Sequence, residues 1–151
     1  MQIRQAKQAD ESAIKSFGAT EWPSVDAEHF GRDNVFFHKK VLKFIAEAHS
    51  TIIGYIILEI DMGVCMVDSI LIAKSHRGHG VGKALMNTAE TAAVAEGCHK
   101  LWLVTGLHWD AKDFYESIGY RTLVVLKHHY DGQDFVYMEK LIRTNVESVY
   151  N

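Results

Sequence analysis

Three runs rich in β-branched residues, Val41–Ala48, Ile52–Ile60 and Val64–Ile72, follow one another with only His49-Ser50-Thr51 and Asp61-Met62-Gly63 between them. A parallel crossover needs about a dozen residues or more, so connections this short join antiparallel neighbours, and a three-stranded meander is predicted. The rest of the chain must be arranged around that sheet. Gly80–Glu96 has helical period, with Val81, Leu85, Thr88, Ala89 and Ala92 as a stripe small enough to lie close on a sheet and Gly97 as its stop. Leu101–Val104 reads as a buried strand, so the crossover through Val81–Glu96 makes part of the sheet parallel. Asp110 is expected to cap a helix carrying Ala111, Phe114, Tyr115 and Ile118 on one side and ending at Gly119. Arg121–His129 and Phe135–Leu141 flank Asp131-Gly132, a dipeptide favoured in tight hairpins.

The beginning of the chain is less regular. Ile3-Arg4-Gln5-Ala6 reads as a short strand, and Asp10 as the cap of a helix bearing Ala13, Ile14 and Phe17, with Gly18 near its end. Pro23 is expected to break what precedes it, with a second helix from Asp26 bearing Phe30 and Phe37. The predicted order is β-α-α-β-β-β-α-β-α-β-β, an α/β (α+β) fold with a mixed, mainly antiparallel central sheet flanked by helices.

At 151 residues and 48% hydrophobic, the chain suits one domain, residues 1–151, able to fold without staples. No apolar run approaches the roughly 18 residues that span a bilayer, and Met1–Lys7 alternates instead of forming an apolar stretch. Neither a membrane partner nor a signal peptide is expected. A net charge of −3 argues against a nucleic-acid-binding surface. Cys65 and Cys98 form no Cys-x-x-Cys pair and read as buried thiols of a cytoplasmic protein.

The segment Ile70-Leu71-Ile72-Ala73-Lys74-Ser75-His76-Arg77-Gly78-His79-Gly80-Val81-Gly82-Lys83 runs from a strand, through alternating glycines, into a helix N-terminus. Free amides and the positive end of the helix dipole converge there. Lys74, Arg77 and Lys83 lie in it and no carboxylate does, a reversal of sign that points to an anionic ligand, most simply a phosphate. A P-loop is excluded: Ala84 follows Gly82-Lys83, so the magnesium-binding hydroxyl is missing, and Arg77 takes the place of the first glycine. A dinucleotide fingerprint has different spacing and sits in a parallel unit near the chain start. What remains is Arg77-x-x-Gly80-x-Gly82.

That pattern resembles the pyrophosphate signature Gln/Arg-x-x-Gly-x-Gly/Ala of the GNAT superfamily of acyl-CoA-dependent N-acyltransferases. Ile70 and Ile72 stand where the family has its Leu-x-Val strand end, and Ala111–Tyr120 resembles the family's Ala-x-x-Phe-Tyr-x-x-x-Gly-Phe helix. The resemblance covers the chain from about Val41 onward. It implies an N-acetyltransferase that binds acetyl-CoA through Arg77, Gly78, His79, Gly80, Val81, Gly82 and Lys83. Pantetheine would lie along Ile70, Leu71 and Ile72, and backbone N–H near Ile70 or Leu71 would hold the thioester carbonyl where two strands splay apart. Ala111 and Phe114 would line the cofactor, with His108 where the family often has an asparagine. Tyr115 stands where many members place the tyrosine that protonates the leaving thiolate. Transfer would be direct, since Cys65 and Cys98 lie on neither signature. Family members are often dimers, which allows a homodimer here.

For the base that frees the acceptor amine, Asp68 lies two residues before Ile70 and is expected to share its face of the strand. Glu59 on the neighbouring strand is the second choice and a water relay the third. No metal is expected: His76 and His79 lie in a loop, and His128 and His129 point to opposite faces of a strand. Glu21, Asp26, Glu28, Asp33, Glu59, Asp61 and Asp68 suit a small cationic amine acceptor, with Trp22, Trp109 and Phe36 as an apolar wall. The rival reading is a non-catalytic acyl-CoA-binding or regulatory module; a third is a macromolecular acceptor.

Overall fold

The computed structural model describes residues 1, 3–33, 35 and 39–142; the expectations for Phe36 and Phe37 lie outside them. The chain divides into two compact units, residues 1–37 and 38–151.

The first unit holds one long helix, α1 (Glu11–Phe30), in place of the predicted strand and two helices. Pro23 lies inside it. A proline forfeits one intrahelical donor, to the carbonyl four residues back, and the ladder resumes on either side. The helix ends one residue before Gly31, whose N–H donates to Ala27 O at 3.1 Å. Gly18 is interior to it. Ile3–Ala6 forms no strand. Asp10 is at the N-cap position but its carboxylate faces backwards, accepting from Arg4 at 2.7 and 3.0 Å and from Lys7 N at 2.8 Å. It therefore fixes the turn that leads into the helix and leaves the helix amides alone.

The second unit is a six-stranded sheet with two helices. Its elements are β1 (Lys40–Ala48), β2 (Thr51–Asp61), β3 (Val64–Ile72), α2 (Val81–Ala95), β4 (Lys100–Gly106), α3 (Asp110–Ser117), β5 (Arg121–Tyr130) and β6 (Gln133–Leu141). The strand order is β1-β2-β3-β4-β6-β5, with every neighbouring pair antiparallel except β3 and β4. This is the mixed, mainly antiparallel sheet that the short connections and the single crossover dictate. Hairpins β1–β2, β2–β3 and β5–β6 turn on two residues, all with positive φ: His49 and Ser50, Met62 and Gly63, Asp131 and Gly132.

Helix α2 lies across β1 to β4, and α3 lies against β4 and β5. The core between them and the sheet contains Ile56, Leu58, Cys65, Leu101, Leu103, Val136 and Met138, all essentially fully buried. Alternate residues of each strand face it, as the strand period requires. The buried stripe of α2 is Leu85, Met86, Ala89 and Ala93; Thr88 is exposed and its hydroxyl donates back to Ala84 O at 3.1 Å. The helix is thus rotated from the predicted stripe, because burying the long Met86 is worth more than burying a threonine. On the opposite face of the sheet the rings of Trp102 and Tyr137 stack 5.2 Å apart. Beside them the buried Glu139 carboxylate accepts from Lys100 Nζ at 3.1 Å and Arg121 Nη2 at 2.8 Å.

Candidate active site

Strand β3 is not hydrogen-bonded to β4 along its length. Its register partners are Val64–Lys100, Cys65–Leu101 and Met66–Trp102, while β3 runs on to Ile72 and β4 to Gly106. A β-bulge stands at the point of parting: Leu58 faces Val67 and Ile57 faces Ser69, leaving Asp68 as the extra residue. A bulge bends its strand and interrupts the ladder, so it turns the second half of β3 away from β4. The backbone of Val67–Ile72 then has a free edge on that side.

Beyond Ile72 the chain makes a short 3₁₀ turn, Lys74–His76, then bends through Gly78 and Gly80 into α2. Gly80 has φ +83°, a conformation an L side chain resists, and it occupies the N-cap position of α2 with no side chain to offer. Ala84 N donates to Gly80 O at 3.0 Å, so the amides of residues 81–83 have no acceptor within the helix. They carry the positive end of its dipole. Arg77 Nε donates to Ile72 O at 3.1 Å, tying the bend to the strand end, and His79 Nδ1 lies 2.9 Å from Arg77 O.

The free edge of β3, the bend and the inner side of α3 enclose a groove of about 660 Å³. From the strand and the bend, Ile70, Leu71, Ile72, Arg77, Gly78, Gly80, Gly82 and Lys83 line it. From α3 come Ala111, Phe114 and Tyr115. At Gly82 a Cβ would come within 3.4 Å of Ile72 Cδ1 and Phe114 Cζ, so this glycine sets how closely the two helices approach. Tyr115 is only 6% exposed, and its ring meets those of Phe114 at 5.2 Å and Tyr120 at 5.8 Å. Burial pushes its phenol up to about 12, so the hydroxyl keeps its proton at neutral pH.

Five of the anticipated site residues are not brought to the groove. Val81 turns inward, its Cγ1 3.4 Å from where a Cβ on Gly54 would be, and only its amide belongs to the bend. His79 is exposed and does not line the groove. His108 lines a separate hollow of about 300 Å³ with Trp109, His128 and Asp134, because Trp109 folds its ring onto Gly106 and swings the turn away. Asp68 is the unpaired residue of the bulge and does not line the groove; Val67, opposite Leu58, and Ile70, opposite Ile56, stand on either side of the irregularity. Glu59 lies opposite Met66, at the paired end of β3, where its carboxylate accepts from Lys39 Nζ at 2.9 Å. That hydrogen bond, with the nearby Asp61 and Asp68 carboxylates, holds the Lys39 ammonium above its usual range.

Other groups were missed. His76, Asp110, Ser117 and Ile118 also line the groove. Helical spacing could have found Ser117 and Ile118, three residues beyond Phe114 and Tyr115. Asp110 is the first residue of α3 and Trp109 its N-cap, so the expected aspartate cap is displaced by one. Asp26, in the first unit, accepts from Val35 N at 3.2 Å. Cys65 and Cys98 are fully buried; burial first, then the neighbouring Cys98, pushes the Cys65 thiol up to about 12, which removes its thiolate at neutral pH. Among the described residues no group of three or more His, Cys, Asp or Glu is placed to hold a metal ion, and no helix is long and apolar enough to cross a membrane.

A parted parallel strand pair with an amide-rich, cationic bend at its mouth is an arrangement for an extended anionic ligand, and comparison with known proteins places it. The sequence model of the acetyltransferase (GNAT) family matches residues 7–120, and the chain belongs to that family. An uncharacterized N-acetyltransferase of Methanocaldococcus jannaschii is 33% identical over 100 residues, a stretch spanning 64% of this chain and 64% of that protein. The crystal structure of an acetyltransferase from Bacillus cereus superposes with a TM-score of 0.71 at 21% identity, covering 93% of this chain and 97% of that one. A structure from Bacillus anthracis str. Ames, solved in complex with acetyl coenzyme A, gives a TM-score of 0.63 at 26% identity over 67% of this chain and 62% of that one.

Proposed function

We propose that this protein transfers an acetyl group from acetyl-CoA directly to a primary amine of a small cationic acceptor. The observation that carries the reading is the groove itself, which opens where β3 and β4 part and runs between the cationic bend and Tyr115. The residues present fit the donor. Three helix-start amides with Arg77 and Lys83 suit a diphosphate, and the free edge of β3 at Ile70–Ile72 suits an amide-containing arm. A similar fold solved with acetyl coenzyme A supports the choice. Acetyl-CoA supplies the acetyl group as a thioester, and a thiolate departs when the amine attacks.

The chain's own groups would perform three tasks. Backbone N–H groups near Ile70 or Leu71 polarise the carbonyl; such donors are worth roughly 3 kcal/mol each. Tyr115 donates a hydrogen bond to the departing sulfur. Complete transfer from a phenol near 12 to a thiolate near 8.5 would be uphill by about 5 kcal/mol, so the phenol stabilises the leaving group and solvent completes its protonation. The acceptor must also be deprotonated, because an amine with pKa near 10.4 is neutral in only about one molecule in 2,500 at pH 7. Asp68, the bulge residue at the parting point, is the base in this reading, acting directly or through water; Glu59 is disfavoured by its pairing with Lys39. The carboxylates of Glu59, Asp61 and Asp68 around Lys39 support a cationic acceptor.

We read residues 1–151 as one acetyltransferase domain, supported by a family match that begins in the first unit and continues into the second. Two buried cysteines favour a cytoplasmic setting. The deciding experiment combines coenzyme A calorimetry with acetyl-CoA-dependent thiol release over a panel of amines, products being identified by mass. Binding with acceptor-dependent release is expected. Binding without release would favour a non-catalytic acyl-CoA module, and absence of binding would sink the assignment of the groove.

A further inference from the structure

We infer that Lys140 is a positioning residue: a single ammonium that locks α2 to the C-terminal end of α3 and thereby fixes Tyr115 in the groove. Lys140 projects from β6 with its Nζ 2.8 Å from both carboxylate oxygens of Glu90 on α2 and 2.9 Å from Ile118 O at the end of α3. An ammonium has three donors, and these three acceptors use them all. Ile118 O is one of the carbonyls that a helix end leaves without a partner, and it lies at the negative end of the dipole of α3. The lysine stem reaches it across Gly119, where a Cβ would lie 3.5 Å from Lys140 Cε and where φ is +94°.

From this clamp the path to Tyr115 is short. Tyr120 N donates to Tyr115 O at 3.0 Å, and the two rings meet edge to face at 5.8 Å. Lys140 Nζ sits 5.8 Å from the centre of the Tyr120 ring. The buried Tyr120 hydroxyl has no hydrogen-bond partner among the described residues, so packing and the ammonium hold that ring in place. The other side of the clamp, Glu90, lies two turns beyond Lys83 on the helix whose start forms the bend. The clamp thus adds a second tie between α2 and α3, beside the close approach that Gly82 allows. The positional part stands on these contacts; its catalytic consequence rests on the acetyltransferase reading.

Lys140→Met keeps the unbranched apolar stem and removes the ammonium. It is expected to lower kcat about tenfold with the acceptor KM within about twofold, because a hydroxyl displaced by a fraction of an ångström is a poorer donor. In a Tyr115→Phe background the same change should cost less than about twofold, since the group being positioned is gone. Lys140→Arg, whose fork can still reach Glu90 and Ile118 O, should recover activity to within about threefold of the parent. A kcat loss below about threefold, or one carried undiminished into the Tyr115→Phe background, overturns the catalytic role. Amide hydrogen exchange on the free protein reads the clamp without turnover. Lys140→Met should speed exchange at Gly119 and Tyr120 at least about tenfold and leave the β1–β2 hairpin unchanged. Such a response in a protein that turns over no acetyl-CoA would defeat the acetyltransferase reading and leave the clamp intact, whereas unmoved exchange defeats the clamp. Should Lys140→Met fail to fold, Glu90→Gln is tested in the same assays, with effects of about threefold expected and unchanged values decisive against the inference.

Discussion

The two halves of β3 are made from similar residues and do different work. Val64–Met66 is zipped to β4, with Cys65 and Leu101 side by side and fully buried behind the helices. Beyond the bulge at Asp68 the strand pairs with β2 alone; Ile70 and Ile72 are half-buried, Leu71 is exposed, and all three line the groove. The first half buries apolar area and satisfies its backbone within the sheet. The second half gives up one ladder of hydrogen bonds, and that loss leaves polar backbone free to hold a ligand. A single inserted residue therefore divides one strand into a part that supports the fold and a part that serves the site.

Substitutions at the two ends should accordingly separate stability from affinity. The largest effect is expected at the zipped end. Leu101→Ala leaves a cavity in the core and should cost about 3 kcal/mol, lowering Tm by roughly 10 °C, with coenzyme A affinity within about twofold. A loss of affinity matching the loss of stability would break the comparison. At the open end, Gly80→Asp places a carboxylate at the helix start in a backbone conformation with φ +83° that aspartate adopts only at a cost. Calorimetry should show coenzyme A binding weakened about a hundredfold, equivalent to about 2.7 kcal/mol. Arg77→Ala should cost about tenfold in the same titration. Unchanged affinity in both variants would remove the bend as the phosphate site.

What sequence conveyed about this division follows from how local each signal is. The β-branched runs and their short connections specify the meander because strand period and loop length are properties of neighbouring residues. The Asp131-Gly132 turn was legible in the same way, whereas His49 and Ser50 reach positive φ with no glycine to announce it. The bend was legible because its glycines and cations lie together in one segment. The bulge was not, since it exists only in the pairing of β3 with β2, and no local period announces Asp68 as the residue left without a partner. His108 was misplaced for a similar reason: the packing of Trp109 on Gly106 decides where that turn goes, and no spacing records it. Pro23 misled because a proline marks the loss of a hydrogen bond, and a helix can lose one and continue.

Tyr115 belongs to the open end by function and to the core by burial, so it sharpens the comparison. Tyr115→Phe keeps the ring contacts and removes the donor; kcat should fall about tenfold or more while coenzyme A affinity stays within about twofold. Because burial raises the phenol to about 12, its deprotonation contributes no fall in kcat below about pH 11. An alkaline limb near pH 10 that disappears in Tyr115→Phe would contradict the buried setting of this hydroxyl.

The smallest effect concerns Glu139, which stands opposite Trp102 at the zipped end. Hydrogen bonding from Arg121, followed by Lys100 and against the opposing effect of burial, holds its carboxyl below the usual range. A carboxyl whose pKa is lower folded than unfolded stabilises the protein above the unfolded value, near 4.5, and that contribution is lost as pH falls through the folded value. Arg121 is largely exposed, so the network is worth only about 1 kcal/mol, or about 2–4 °C in Tm. Glu139→Gln should therefore melt lower than the parent by this constant margin between pH 8 and pH 5, and the two melting temperatures should converge below about pH 4.5. Coenzyme A affinity, set at the other end of β3, should not follow that convergence. If it did, the two halves of the strand would be energetically one unit, and the division drawn at Asp68 would be geometric only.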